Sequence, residues 1–287
     1  MNRRSAMKNT ALGLGALAMS RSLQATDEAD RLAGLGKTNH SACYWCYQDI
    51  PLEELCERAQ DLSLQSVELT TVDQWPTLKK YGMTCAMGTY SGASLTEGFN
   101  NPANHEKLQA DYKKLIRDAA EGGIPSVICF SGNRNGISDE QGLINCAIGL
   151  RPLAKLAEEM GVLLQMELLN SKVNHPGYQC DHTAWGAALA EMINSPNFKL
   201  LYDIYHMQIM EGDVIATIQQ YHQYIGHYHT GGVPGRHEIN ESQELYYPAI
   251  IKAIHETGFT GYVAQEFIPT YEDKLKALAE GLRICEG

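Results

Sequence analysis

Residues 156–170 read LAEEMGVLLQMELLN (Leu156–Asn170). An amphipathic stretch ends at a glycine, an almost wholly apolar run follows, and the run ends on a carboxylate, Glu167. Gly161 stands where a helix C-terminal cap belongs, because glycine takes the left-handed backbone there without steric cost. The run after it is apolar at successive positions rather than alternate ones. That pattern fits a strand buried on both faces, as parallel strands covered by helices are.

The same unit recurs along the chain. Eight short apolar runs stand out: Ala42–Tyr47, Ser66–Leu69, Thr84–Gly88, Ser126–Phe130, Val162–Leu168, Phe198–Asp203, Tyr224–His229 and Tyr262–Phe267. Helical patterns lie between them. Leu108, Tyr112, Leu115, Ile116 and Ala119 share one helix face, as do Leu143, Cys146, Ala147, Leu150, Leu153, Ala154 and Ala157. Pro152 predicts a kink or a fresh first turn in the second of these. Further helices are expected at about 181–194, 213–221, 246–257 and 271–284. Neither a G-x-G-x-x-G after the first run nor a G-x-x-x-x-G-K-[ST] occurs, which argues against a doubly wound nucleotide-binding sheet. Eight βα units predict a single (β/α)8 barrel, the TIM-barrel form of the α/β class, over residues 37–287.

Residues 1–36 read differently. Arg3 and Arg4 sit in a charged head, and Asn9–Ser20 is uncharged and small. The pattern predicts a signal-like leader and linker of the twin-arginine type, hence a periplasmic or exported protein; without it the expectation is cytoplasmic. The stretch is too short for a stable membrane span. The 287 residues carry 34 acidic and 23 basic side chains, a net charge of −11, with the two signs interspersed. A nucleic-acid partner, which wants clustered Lys and Arg, is disfavoured. A small-molecule substrate, even an anionic one, remains open, as does a homo-oligomer. The eight cysteines are spread too widely for a disulfide scaffold and read as small buried apolar residues.

In a barrel of this kind, catalytic groups project from the C-terminal ends of the strands. The fifth to eighth runs end on or near Glu167, Asp203, His229 and Glu266, each about one βα unit after the last. Three carboxylates on one rim repel one another in a partly desolvated site. One divalent cation removes that difficulty. Oxygen ligands with one imidazole favour Mn²⁺ or Mg²⁺, with Co²⁺ or Zn²⁺ allowed.

IGHYHTGGVPGRHE (Ile225–Glu238) adds detail. His227 and His229 are two apart on one strand and face the same way. His229 stands at the rim, and His227 one layer deeper as core or support. The GGVPG turn then carries Arg236 across the mouth, where a planar cation suits a substrate carboxylate or hydroxyl pair. His206 is a candidate donor to a substrate oxygen, and Lys172 and His175 are further substrate-binding candidates. Trp45 and Trp75 read as core, with the pocket wall as the alternative.

ELLNSKVNHPGYQCD (Glu167–Asp181), YDIYHMQIMEGD (Tyr202–Asp213), SLTEGFNNPANHEKL (Ser94–Leu108) and the IGHYHTGGVPGRHE loop together resemble hydroxypyruvate isomerases. Those belong to the xylose-isomerase-like barrels, with sugar isomerases and ketose 3-epimerases, and the resemblance runs from about residue 38 to the end. It implies that Glu167, Asp203, His229 and Glu266 hold one divalent metal and that Glu167 and Glu266 flank the substrate as acid and base. It implies conversion of hydroxypyruvate to tartronate semialdehyde through an enediolate. His229 is the ligand of the epimerase branch, where glutamine is frequent among the hydroxypyruvate isomerases. A ketose or inosose epimerase with the same site is therefore the alternative. A non-catalytic exported binding barrel is a further one.

Overall fold

The structure, a computed structural model, describes residues 38–62 and 64–286. The predicted leader, residues 1–36, lies wholly outside them. Seven parallel strands form one sheet: β1 (Asn39–Cys43), β2 (Ser66–Glu68), β3 (Ser126–Cys129), β4 (Leu163–Glu167), β5 (Phe198–Asp203), β6 (Ile225–Thr230) and β7 (Tyr262–Gln265). Their order is β2-β1-β7-β6-β5-β4-β3, so β2 and β3 are the two ends. The strands are buried on both faces, which is why they read as apolar runs rather than alternating ones.

The eighth stave is the third apolar run, and it is no regular strand. Residues 84–88 join β2 through a bridge at Ser66–Thr84, the stretch just beyond β2 through Thr70–Gly88, and β3 through Gly88–Val127. At Ala86 the ladder is replaced by side chains. Its N–H donates to Ser66 Oγ at 2.7 Å, and Ser126 Oγ donates to its carbonyl at 2.6 Å. Two serines thus satisfy backbone groups that a partner strand would otherwise take. The sheet closes into the predicted barrel. The first run is also shorter as a strand than expected. β1 stops at Cys43, and Tyr44–Tyr47 forms a 3-10 turn.

Helices cover the outside. α1 (Leu52–Ala59) and α2 (Trp75–Lys80) are short; α3 (His105–Gly122) and α4 (Asp139–Met160) are long. α5 (Thr183–Ile193), α6 (Ile204–Met210), α7 (Val214–Tyr221), α8 (Tyr247–Glu256) and α9 (Lys274–Ile284) follow. In α3 the side chains of Leu108, Tyr112, Leu115, Ile116 and Ala119 are all buried, as their spacing requires. α4 begins at Ser138, whose hydroxyl accepts the Gln141 N–H, and ends at Gly161 in the left-handed region, φ 70°. It runs unbroken through Pro152, so the proline marks no new helix. All eight cysteines are buried and unpaired. Among the described residues no helix is long and apolar enough to cross a membrane.

Candidate active site

Four strand ends deliver four polar side chains to one place. Glu167 is the last residue of β4 and Asp203 the last of β5; His229 is next to last in β6, and Glu266 follows β7 directly. All four are buried, and one potential ligand atom from each lies within 4.8 Å of the others. His229 Nδ1 is 2.9 Å from Glu266 Oε2 and 3.5 Å from Glu167 Oε1. Asp203 divides its labour. Its Oδ1 caps α6 by accepting the His206 N–H at 3.0 Å, which leaves Oδ2 for the cluster.

The electrostatics are those of crowded acids in a dry place. Burial, then the charge of Glu266, pushes the Asp203 carboxyl well above its ordinary range. Burial likewise raises Glu167, against the hydrogen bond from His229. Glu266 goes the other way. Burial works to raise it, but the charges of His229 and Arg236 hold it well below the usual carboxylate range. A donor set of three buried carboxylates and one imidazole nitrogen, converging this closely, fits a divalent cation.

Arg236 is at the mouth, as the GGVPG turn suggests, but the guanidinium points at the cluster. Its Nη2 donates to Glu266 Oε2 at 2.6 Å and lies 3.5 Å from Asp203 Oδ2. The ring faces of Trp45 and Tyr205 flank it at 5.0 and 5.4 Å. Its own backbone is left-handed, φ 60°, which is uncommon outside glycine. The conformation is held by bonds from its N–H to Gly232 O and to its carbonyl from Ile268 N.

His206 is completely buried behind Asp203. Its Nδ1 is 2.6 Å from Asn170 Nδ2. Asn170 Oδ1 accepts the backbone N–H groups of Val173 and Asn174, so its amide nitrogen is the atom turned to the ring. Nδ1 is therefore the acceptor, and the neutral ring carries its proton on Nε2. That Nε2 has no hydrogen-bond partner among the described residues, with Asp203 Oδ2 3.7 Å away. Burial, then Arg236, pushes the imidazole well below its ordinary value.

The remaining candidates separate. His175 lines the cavity, its ring edge-on to His206 at 5.2 Å. Lys172 does not join them. Its ammonium donates to Ile209 O and Met210 O, capping the C-terminus of α6. Trp45 lines the cavity and donates from Nε1 to Glu266 Oε1 at 2.7 Å, whereas Trp75 is core and donates to Thr70 O. The cavity itself measures about 420 Å³. Its lining combines the polar Glu167, Glu266, Arg236 and His175 with the apolar Leu69, Ala93, Leu95, Ile128 and Phe130.

One residue missing from the sequence reading is Glu68, at the end of β2. It is wholly buried, and its Oε1 is 2.9 Å from both His227 Nε2 and His229 Nε2. Burial works to raise this carboxyl, yet the two imidazoles hold it at about 2. The signal was available, since Glu68 is an acid at the end of an apolar run like the other three. His227 is one layer deeper than His229 and supports the site through Glu68.

A sequence profile described as the xylose isomerase-like TIM barrel matches residues 56–286. The chain belongs to that family. Among its curated relatives is a putative hydroxypyruvate isomerase of Homo sapiens, 26% identical over 235 residues, covering 78% of this chain and 77% of the relative. The hydroxypyruvate isomerase of Escherichia coli is 30% identical over 169 residues, 58% of this chain and 65% of that one. A 2-oxo-tetronate isomerase of Pectobacterium atrosepticum is 25% identical over 234 residues, 78% and 88% of the two chains. Solved structures share the fold. An AP endonuclease family 2 protein from Brucella melitensis superposes with a TM-score of 0.74 at 21% identity, over 83% of this chain and 96% of that one. An IOLI protein with a bound zinc atom superposes with a TM-score of 0.67 at 17% identity, over 86% and 95%. With such relatives, this xylose isomerase-like barrel is an isomerase in the broad sense that includes epimerases.

Proposed function

We propose that the protein is a divalent-metal-dependent isomerase of the aldose–ketose type, acting on a small hydroxy-carbonyl acid. Hydroxypyruvate, converted to tartronate semialdehyde, is the substrate favoured by the curated relatives. One observation carries the reading: Glu167 and Glu266 both belong to the four-residue cluster and both line the cavity. A bound ion supplies positive charge where an enediolate develops negative charge, which lowers the barrier to removing a proton next to a carbonyl.

The chain's own residues divide the rest of the work. Glu167, with its proton affinity raised by burial, takes the proton from carbon. Glu266 is steadied as a carboxylate by Trp45, Arg236 and His229, and faces the same cavity as the second acid or base. The neutral His206 offers Nε2–H to a substrate oxygen that gains charge. Arg236 and His175 hold the outer end of the substrate. Lys172 keeps α6, and with it Asp203 and His206, in position.

A ketose epimerase is the second reading, and the size of the cavity, about 420 Å³, favours it, because a three-carbon acid leaves much of that space unfilled. The test is NMR of hydroxypyruvate, 2-oxo-tetronate and a panel of ketoses in D₂O, with Mg²⁺ added. Deuterium entering at the carbon next to the carbonyl of hydroxypyruvate, with tartronate semialdehyde formed, supports the first reading. Exchange confined to ketoses replaces it with the second. A protein that labels no substrate with Mg²⁺, nor with Mn²⁺, Co²⁺ or Zn²⁺ in its place, is a binding barrel.

A further inference from the structure

We propose that Glu68 is the positioning residue for His229: it takes the N–H on the far side of the ring, so that Nδ1 offers its lone pair to the ion. The inference rests on the metal-site reading above and adds a fifth residue to it.

An imidazole that ligates through one nitrogen must carry its proton on the other, and the partner of that second nitrogen sets both tautomer and ring plane. The two nitrogens of His229 have separate surroundings. Nδ1 looks toward Glu266 and Glu167, the cluster at the rim. Nε2 looks toward Glu68 Oε1, 2.9 Å away. Glu68 reaches it from β2, where it pairs in register with Cys43 of β1; β2 is three strands from β6 around the sheet. Neither Glu68 nor His229 has any exposed surface. The contact thus pins the ligand from inside the barrel while the ion is approached from the mouth.

His227 bears on the alternative that Glu68 merely balances buried histidines. Its Nε2 lies 2.9 Å from the same Glu68 oxygen, yet His227 is outside the four-residue cluster. A role only in charge balance alters stability and leaves metal affinity alone. Cys43 bears on a different alternative. Its Sγ is 3.7 Å from His229 Nε2 and 3.9 Å from Glu68 Oε1, so these three side chains could themselves take up a soft cation. That arrangement leaves His229 bridging two ions and gives Glu68 a ligand's role instead of a positioning one.

The experiment titrates the full-length protein, stripped with a chelator, with Mn²⁺ and compares wild type, Glu68→Gln and Glu68→Ala. Urea unfolding of each metal-free form reports stability separately. Wild type is expected to bind one ion, Glu68→Ala to bind it about 10–100-fold more weakly, and Glu68→Gln to fall between. In Mg²⁺-loaded protein with ¹⁵N-labelled histidine, the His229 Nε2–H resonance is expected in wild type and lost in Glu68→Ala. Should Glu68→Ala not fold, the isosteric Glu68→Gln carries the same two readouts. Unchanged Mn²⁺ affinity in the variants, with one ion bound by wild type, overturns the role of Glu68 and spares the metal site. So does a second bound Zn²⁺ that disappears in Cys43→Ser. A wild type that binds no divalent ion overturns the site reading and this inference together.

Discussion

Glu266 accepts hydrogen bonds from two different elements, Trp45 Nε1 after β1 and Arg236 Nη2 in the loop beyond β6, and its Oε2 lies 2.9 Å from His229 Nδ1. A carboxylate so restrained is ready to ligate or to exchange a proton along one fixed direction. Glu266→Gln keeps the shape and removes the base, and it is expected to lower turnover by about 10²–10⁴-fold with the fold intact. Steady-state rates alongside far-UV circular dichroism check this. Glu167→Gln is expected to do the same. Of the residues gathered here, the acids and His229 were legible because a strand end in a barrel is a defined place. Glu68 has the same signature but stands on β2, apart from the four consecutive strands whose ends carry the cluster. The position of Lys172 was not legible at all. Its ammonium is drawn to two carbonyls at the end of α6, a helix whose first turn is set by the Asp203 cap.

At the scale of elements, the loops over the mouth hold one another. Residues 98–100 run along 130–132, with Phe99 N and Asn100 N donating to Phe130 O and Ser131 O. Gly98 permits that approach, since a Cβ there would lie 2.2 Å from Gly132 N. Gly98→Ala is therefore expected to destabilise by about 1–3 kcal/mol, read from urea denaturation. A second tie is Asp181, which takes Arg134 Nη2 at 2.9 Å and His182 Nδ1 at 2.7 Å and accepts the Ser171 hydroxyl. Burial works to raise this carboxyl, but Arg134, Ser171 and His182 outweigh it and lower it. A lowered folded-state value gives stability present above the unfolded carboxylate value, about pH 3.9, and lost as pH falls through the folded value. Asp181→Asn is expected to destabilise at pH 7 by about 2 kcal/mol, and the difference from wild type should vanish under acid conditions. The tie between Arg134 and Asp181 and the one between residues 98–100 and 130–132 join segments dozens of residues apart in the chain, and no periodicity announces them. The third stave was legible as an apolar run but not as an irregular one, because Ser66 and Ser126 complete its hydrogen bonding from neighbouring strands.

At the scale of the molecule, eight βα units were legible because helix and strand patterns have different periods and alternate along the whole chain. The eight thiols follow from the same packing. All are buried, so native protein is expected to react with no thiol reagent at the rate of an exposed cysteine, while unfolded protein titrates all eight. Under the proposed metal site, ion binding should couple to the barrel as a whole, because Glu167, Asp203, His229 and Glu266 come from the ends of four strands. At an ion concentration of about 100 Kd the folded state gains about 2.7 kcal/mol. Thermal unfolding should therefore shift upward with Mn²⁺ in wild type.

The most direct measurement counts Mn²⁺ per chain after dialysis, by electron paramagnetic resonance, in wild type and in the Asp203→Ala/Glu266→Ala double variant. One ion in wild type and none in the variant is the predicted result. An ion retained in full by the variant, or none bound by the folded wild type, contradicts a centre shared by Glu167, Asp203, His229 and Glu266.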